Sequence, residues 1–261
     1  RVFVCWSRDN KATLQKVEER HPLAFSTLST SDMPNVLPRL PAVRDLVKMY
    51  GLSARSQLGQ NFILDKNITD KITASAGVSY ADALVVEVGP GPGLLTRSIL
   101  ETGVKNVVAV ERDVRFLPTL TQLAEASEDK LKILSGDILK IPHSDILNAA
   151  RIFTSPSMSS TSTINSSDNI HIIGNLPFNV ASPLLLQFLH MQSRREGLFG
   201  VGNVHMTLMF QEEVGQRLAA NVGTKHRGRL SVMAQSLCDV RIVYEVPSSV
   251  FVPIPKVDNN M

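Results

Sequence analysis

Cysteine is nearly missing from this chain: 261 residues hold two, Cys5 and Cys238, far apart in sequence. The pair lacks the spacing of a zinc site and cannot build a disulfide framework. Neither a bound metal nor an oxidising compartment is expected, and both residues read as inert thiols. Long hydrophobic runs are missing too: no uninterrupted apolar stretch approaches the roughly 20 residues that span a bilayer, so no membrane partner is expected. A surplus of one charge is also absent. With 27 Lys and Arg against 24 Asp and Glu, the net charge is +3 and the pI near 8.9, a balance that permits a nucleic-acid partner without requiring one. The sequence starts at Arg1 and not at methionine, which leads us to expect a fragment or translated sequence upstream of the natural start.

What remains is an ordinary globular composition, 43% hydrophobic and 20% charged, long enough to bury a sizeable core in one main α/β domain. Residues up to about Asn35 show no stable period and mix basic residues with Ser and Thr. Residues 1–35 are therefore expected to form a disordered tail or a matrix-targeting extension, although Glu18, Glu19 and Asp32 speak against the latter. A helix is expected near Ala42 to Tyr50, and a second, capped by Asp65, near Lys66 to Ala76. From Leu84 onward strands alternate with helices, the pattern of a mostly parallel sheet with helices on both faces. Strands are expected at Leu84 to Val88, Val107 to Glu111, Leu131 to Ser135, Ile170 to Ile173, His205 to Phe210 and Val240 to Val246. Helices should fill Leu94 to Glu101, Arg115 to Ala126, Asp145 to Ala150, Ser182 to Met191, Glu212 to Ala219 and Arg229 to Cys238. The Ser- and Thr-rich stretch 153–168 reads as a surface loop.

The most informative residues lie just after two of these strands. Glu87-Val88-Gly89-Pro90-Gly91-Pro92-Gly93 joins an apolar strand to a helix, as a glycine-rich turn that lets a nucleotide-like cofactor approach the backbone. A dinucleotide fingerprint would place its third glycine at position 94, where this chain has Leu94. No Gly-Lys-Ser/Thr follows either, so a Walker loop is excluded. The remaining pattern, an acid followed by Gly89, Gly91 and Gly93, is the form expected of an S-adenosylmethionine methyltransferase. Glu111 and Asp137 sit at the ends of the next two strands, placed to accept from ribose hydroxyls and an adenine amine; their plainer readings are a helix-start acid and a turn acid.

Asn175-Leu176-Pro177-Phe178 follows the fourth of these strands. An exocyclic adenine amine is a poor nucleophile because its lone pair is delocalised into the ring, so a site that methylates it must orient it. The Asn175 side-chain oxygen and the Leu176 carbonyl can accept its two N–H bonds, Phe178 can stack on the base, and Pro177 fixes the turn. Asn175, Leu176, Pro177 and Phe178 are therefore the expected catalytic residues. The densest basic cluster, Lys225, His226, Arg227 and Arg229 with Arg217 nearby, reads either as a solvated inter-helix loop or as phosphate contacts to a nucleic acid.

With these motifs in place the chain resembles the ribosomal RNA adenine dimethyltransferases. Gln60-Asn61-Phe62-Ile63, Glu87 to Gly93, Asn175 to Phe178, Gln211-Glu212-Glu213-Val214 with Arg217 and Leu218, and Phe251 to Asp258 carry the resemblance in order. It is strongest to the mitochondrial branch, which includes mitochondrial transcription factor B, and within it to the methyltransferase paralogue. Leu37 to Pro41, His171 to Gly174, Arg217 to Asn221 and Arg229 to Gln235 carry that finer likeness. The resemblance implies a Rossmann-like fold using S-adenosyl-L-methionine, held by Gln60, Asn61, Ile63, Glu87, Gly89, Gly91, Gly93, Glu111, Arg112, Asp137, Ile138 and Asn175. It implies that Phe178 and Phe251 enclose the target base and that Arg217, Lys225, Arg227 and Arg229 contact substrate.

The implied reaction is N6,N6-dimethylation of two adjacent adenines in a hairpin loop near the 3′ end of mitochondrial small-subunit rRNA, by a monomer in the mitochondrial matrix. Its implied partners are that RNA and the small ribosomal subunit. The alternative is a transcription initiation cofactor that binds mitochondrial RNA polymerase and promoter DNA. The family continues past the Pro-Lys-Val-Asp segment into a last strand and a small helical domain. The catalytic domain is accordingly expected over 36–261, with that helical domain absent or truncated and one edge of the sheet left unpaired.

Overall fold

Two five-residue runs, Leu84–Val88 and Val107–Glu111, aliphatic except for Glu87 and Glu111, are buried along their whole length. Runs with no exposed face belong in the middle of a sheet covered on both sides. In the structure, a computed structural model that describes residues 1–7, 37, 45, 48, 49, 61–151 and 168–252, they are adjacent parallel strands at the heart of a seven-stranded sheet. In chain order the strands are β1 (Val2–Ser7), β2 (Phe62–Ile63), β3 (Leu84–Val88), β4 (Val107–Glu111), β5 (Leu131–Ser135), β6 (Asn169–Gly174), β7 (Asn203–Phe210), β8 (Asp239–Glu245) and β9 (Phe251–Val252). The helices are α1 (Lys66–Ala76), α2 (Leu94–Glu101), α3 (Leu117–Ala126), α4 (His143–Arg151), α5 (Phe178–Arg194), α6 (Leu198–Val201), α7 (Glu212–Leu218) and α8 (Arg229–Gln235).

The large sheet runs β5-β4-β3-β6-β7-β1-β8, and β2 pairs with β9 in a separate two-stranded ribbon. From β5 through β7 every pairing is parallel, whereas β1 lies antiparallel to both its neighbours. Two hydrophobic clusters cover the faces. One gathers Val86, Val108, Ile172 and Phe188 with α4 and α5, and the other gathers Val85, Ala109, Ile173 and Ile72 with α1 and α2. The expected mostly parallel sheet with helices on both faces is therefore present.

The tail expected over residues 1–35 must be corrected at its start. Val2–Ser7 is an interior strand, with Val2 opposite Phe210 on one side and Glu245 on the other. Val2, Val4 and Trp6 join one cluster and Phe3 the other. With both faces buried, the strand shows none of the polar alternation by which a sequence announces a half-exposed strand. β1 lies between β7 and β8 and pairs with both.

Smaller differences have local causes. The helix expected from Arg115 begins with a 3₁₀ turn, Val114–Phe116, whose first N–H groups are capped by Asp113. The helix expected from Ser182 begins four residues earlier, since α5 starts at Phe178 and carries Pro183 inside. Neither α6 nor the β2–β9 ribbon was foreseen; four- and two-residue elements are too short to show a period. The rest of the expected tail, the helix near Ala42 to Tyr50 apart from residues 45, 48 and 49, the loop 153–168 apart from Asp168, and the segment from Pro253 lie outside the described residues.

Trp6 reports directly on the position of β1. It is the chain's single tryptophan, fully buried, edge-on to Phe210 with ring centroids 5.5 Å apart. Its fluorescence is expected to be blue-shifted in the native protein and to move red in one denaturant transition. Trp6→Ala should lower the unfolding free energy by about 3–5 kcal/mol, measured by circular dichroism in urea. Solvent-like emission from the native protein would show that β1 is not in the sheet.

Candidate active site

The order of the strands fixes where a site can form. β3 has β4 on one side and β6 on the other, so the connections leaving β3 and β6 diverge, and a crevice opens at the carboxyl ends of these two strands. Both sequence motifs leave the sheet there. Val88 and Gly174 are register partners at the ends of the two strands. A Cβ on Gly174 would lie 2.7 Å from the Val88 carbonyl oxygen, so glycine at this position lets the Asn175 loop lie against the glycine-rich turn. Leu176 is 4% exposed and anchors that loop in the core.

A cleft open to solvent results. Pro90, Gly91 and Pro92 line it from one side, Asn61, Phe62 and Ile63 from another, and Glu87, Glu111, Thr69, Asn175 and Pro177 complete it. Gly91 has φ +54°, and a Cβ there would meet the Phe62 ring at 3.0 Å. Phe62 is held in turn by an edge contact with Phe116, at 5.3 Å between centroids.

Asn175 is oriented by its own amide. Its Nδ2 donates to the Asn61 carbonyl at 3.1 Å, while Oδ1 is buried with no hydrogen-bond partner. A buried amide oxygen is rarely left without a donor, and this one belongs to a residue that lines the cleft. Glu111 ties the turn in place: one oxygen accepts from the Gly91 N–H at 2.9 Å, the other from the Asp113 N–H at 2.6 Å. Burial raises its pKa and these backbone donors pull it back. Each carboxylate oxygen retains lone-pair capacity for a ligand hydroxyl. Glu87 is 1% exposed, with neither oxygen hydrogen-bonded; burial foremost, and the charge of Glu111, raise its pKa to about 8.

The turn itself has nothing to offer an anion. The N–H of Gly89 is bonded to the Val110 carbonyl, that of Gly91 to Glu111 and that of Gly93 to the Pro90 carbonyl, and Pro90 and Pro92 have none. Among the described residues no Lys, Arg or His lines the cleft. The unmatched polar atoms are oxygens, so the site favours a ligand that carries positive charge and N–H or O–H donors.

Several expected site residues lie elsewhere. Asp137 accepts from the Leu139 N–H at 3.1 Å and faces Arg112 at 3.7 Å, and Ile138 is in the core; none of the three lines the cleft. Gly93 starts α2. Phe251 was expected to close over the base and is instead fully buried. It pairs with Ile63, and the Arg1 guanidinium lies 4.3 Å from its ring centroid, so its faces are already covered. Phe178 opens α5, its side chain lying outside the described residues, as does Gln60.

The basic cluster is not drawn into the cleft either. Arg217 pairs with Glu213, and Arg227 donates to the Ala220 carbonyl and to Gln235, tying the loop back onto α8. Lys225 and Arg229 are exposed. Conversely, Phe62, Thr69, Ile72 and Leu95 line the cleft without having been expected to. Phe62 was legible, since it stands between Asn61 and Ile63; the other three look like ordinary helix core.

Comparison with known proteins agrees with this arrangement. Residues 51–261 match the family model "Ribosomal RNA adenine dimethylase". The chain is 47% identical over 224 residues to mitochondrial dimethyladenosine transferase 1 of Macaca fascicularis, covering 85% of this chain and 62% of that protein. Against the same-named Homo sapiens protein the identity is 46%, with the same coverage. The chain thus spans about 62% of the length of these relatives. Among solved structures, a dimethyladenosine transferase from Plasmodium falciparum superposes with a TM-score of 0.54 at 26% identity, covering 75% of this chain and 59% of that one. The 23S rRNA methyltransferase ErmE shares the fold, with a TM-score of 0.52 at 23% identity, covering 76% of this chain and 66% of that one. A family model over four-fifths of the sequence, together with relatives at nearly half identity, shows that the chain belongs to the ribosomal RNA adenine dimethylase family.

Proposed function

We propose that the cleft binds S-adenosyl-L-methionine and that the protein transfers its methyl group to the N6 amine of an adenine in RNA. The observation that carries the reading is Asn175: its amide nitrogen is anchored on Asn61, and its oxygen is buried and unmatched at the cleft. S-adenosylmethionine fits a cleft of mixed apolar and polar lining in which Glu87, Glu111 and Asn175 present oxygens and, among the described residues, no cationic side chain takes part; when bound it supplies an electrophilic methyl on a sulfonium. Glu111, at the end of β4, suits the ribose hydroxyls, while Asn61, Phe62 and Ile63 cover the side opposite the glycine turn. Asp137 suits an adenine amine at the margin, and Arg112 stands beside it.

The target amine needs orientation more than activation by a base. Asn175 Oδ1 accepts one of its N–H bonds and the Leu176 carbonyl the other, which aims the nitrogen lone pair at the methyl. Pro177, at φ −56° ahead of α5, holds that carbonyl without adding a competing donor, and Phe178 stacks on the base. The proton displaced from the methylated nitrogen passes to water, and no side chain is assigned to remove it.

The resemblance and the names of the relatives support the substrate. It is a pair of adjacent adenines in a hairpin loop near the 3′ end of mitochondrial small-subunit rRNA, each dimethylated in the matrix during assembly of the small subunit. Loop bases suit this chemistry because they unstack at little cost. The catalytic unit takes in residues 36–261 together with β1. Exposed Lys225 and Arg229, with Arg217 and Arg227 beside them, lie on a loop suited to RNA phosphates.

Reverse-transcriptase extension across that hairpin, after incubation with protein and cofactor, should stop at the two adenines, since dimethylation blocks their pairing edge. Read-through by a protein that binds cofactor would overturn the assignment of substrate. Asn175→Ala should reduce methylation by about 10²–10³-fold with a much smaller change in cofactor affinity, read by single-turnover kinetics and calorimetry. Gly91→Val, which brings a branched side chain against Phe62 at positive φ, should abolish cofactor binding while the protein stays folded; tight binding by this variant would show that the turn does not hold the ligand.

A further inference from the structure

Glu87 is a buried acid in a place where its charge has no support. It projects from β3 toward the cleft, is 1% exposed, and has both oxygens without hydrogen-bond partners. The Thr96 hydroxyl of α2 lies near enough to ease ionisation somewhat but outside hydrogen-bonding geometry. Among the described residues, the charge that acts on it is that of Glu111, at the end of β4, and it opposes ionisation. On β6, His171 is held neutral, its pKa pushed down to about 3 by burial and by His205. On α1 and α2, Lys66 is bound to Asp70 and Glu101, and Arg97 feels Glu101. An isolated carboxylate in such surroundings takes up a proton, and with a pKa near 8 the free protein holds Glu87 as the neutral acid at neutral pH.

We propose that Glu87 is a proton-exchanging specificity residue, which releases its proton when the cationic cofactor enters the cleft and regains one once only the neutral thioether product remains. The inference rests on the S-adenosylmethionine reading above. A sulfonium and an ammonium brought into the cleft beside Glu87 and Glu111 supply the positive charge that the ionised form lacks. S-adenosylhomocysteine keeps the ammonium but not the sulfonium, so it supports ionised Glu87 less. The residue therefore favours substrate over product, and increasingly so as pH rises toward the pKa of the free protein. Glu111 cannot take this role because its oxygens already hold backbone donors.

The test is titration calorimetry of the wild type and Glu87→Gln with S-adenosylmethionine and with S-adenosylhomocysteine, in buffers of different ionisation heat. At pH 7 the wild type should release up to about one proton more than the variant on binding S-adenosylmethionine, and less on binding S-adenosylhomocysteine. Below about pH 8, the wild-type preference for S-adenosylmethionine should rise with pH by up to about tenfold per unit, and the variant's should stay flat. Equal proton counts and parallel pH profiles in the two proteins would overturn the proposal. Should Glu87→Gln fail to fold, infrared difference spectra of the wild type decide: loss of a protonated carboxylic C=O band on adding S-adenosylmethionine supports the proposal, and an unchanged band overturns it. If the wild type binds neither ligand, the cofactor reading itself falls, a result distinct from binding without proton release.

Discussion

The contact between the ends of β3 and β6 is the constraint on which the site depends. Parallel strands need long crossovers, and the strand order forces the crossovers leaving β3 and β6 to opposite sides. The crevice between them is therefore a product of topology before any side chain is chosen. Sequence then narrows it. Glycine at 174 removes the one atom that would strike the Val88 carbonyl, and Leu176 pins the following turn to the core. Asn175 is left with a single orientation, its nitrogen on Asn61. A larger residue at 174 would shift the Asn175 turn as a unit and not merely crowd it.

The two sides of the cleft are built by different means. The β3 side is held by the backbone: every N–H of the glycine-rich turn is used internally or absent, so the turn is rigid before ligand arrives. The opposite side comes from β2, two residues long, which is held by its pairing with β9 and by Phe62 against Phe116. Phe251 contributes by filling the core beneath Ile63 with Arg1 over its ring, and not by touching a base. The N-terminal residue and the last strand thus brace the same wall. This connects β1 to the site: it fills the sheet between β7 and β8 and carries Arg1 to the back of the cleft's cover.

The elements that repeat every few residues were legible. Aliphatic runs gave the strands from β3 to β8, and the acid-Gly-x-Gly-x-Gly and Asn-Leu-Pro-Phe patterns named both halves of the cleft. β1 was not legible, because a strand buried from Val2 to Trp6 has no polar alternation and stood at the head of a stretch that mixes basic residues with Ser and Thr. Thr69 and Ile72 were not legible because a helix residue facing a ligand reads the same as one facing core. Phe251 was misassigned because an aromatic beside prolines suits a base-stacking loop as well as a core strand; only its pairing with Ile63 separates the two. Asp137 was placed at the right strand end, and a sequence cannot show that the Leu139 N–H already holds one of its oxygens.

What distinguishes the cleft chemically is its unsatisfied polar atoms. An unmatched buried polar group costs about 1–3 kcal/mol, and Asn175 Oδ1, the Glu87 carboxyl and the Thr96 hydroxyl are all of this kind. Two of them sit on residues that line the cleft, and the third stands one turn into α2 behind it. A fold selected for stability alone would replace them with apolar groups or supply partners, as it does for Thr69 and Ser98, which bond each other at 2.8 Å a short way along the same helices. The Asn175 and Glu87 oxygens lie where a cation with N–H donors would meet them, so ligand binding recovers energy that folding left unused. Because Glu87 can lower its own share of the cost by holding a proton, the empty cleft is tolerable, and the strongest recovery is reserved for a ligand whose charge draws that proton off.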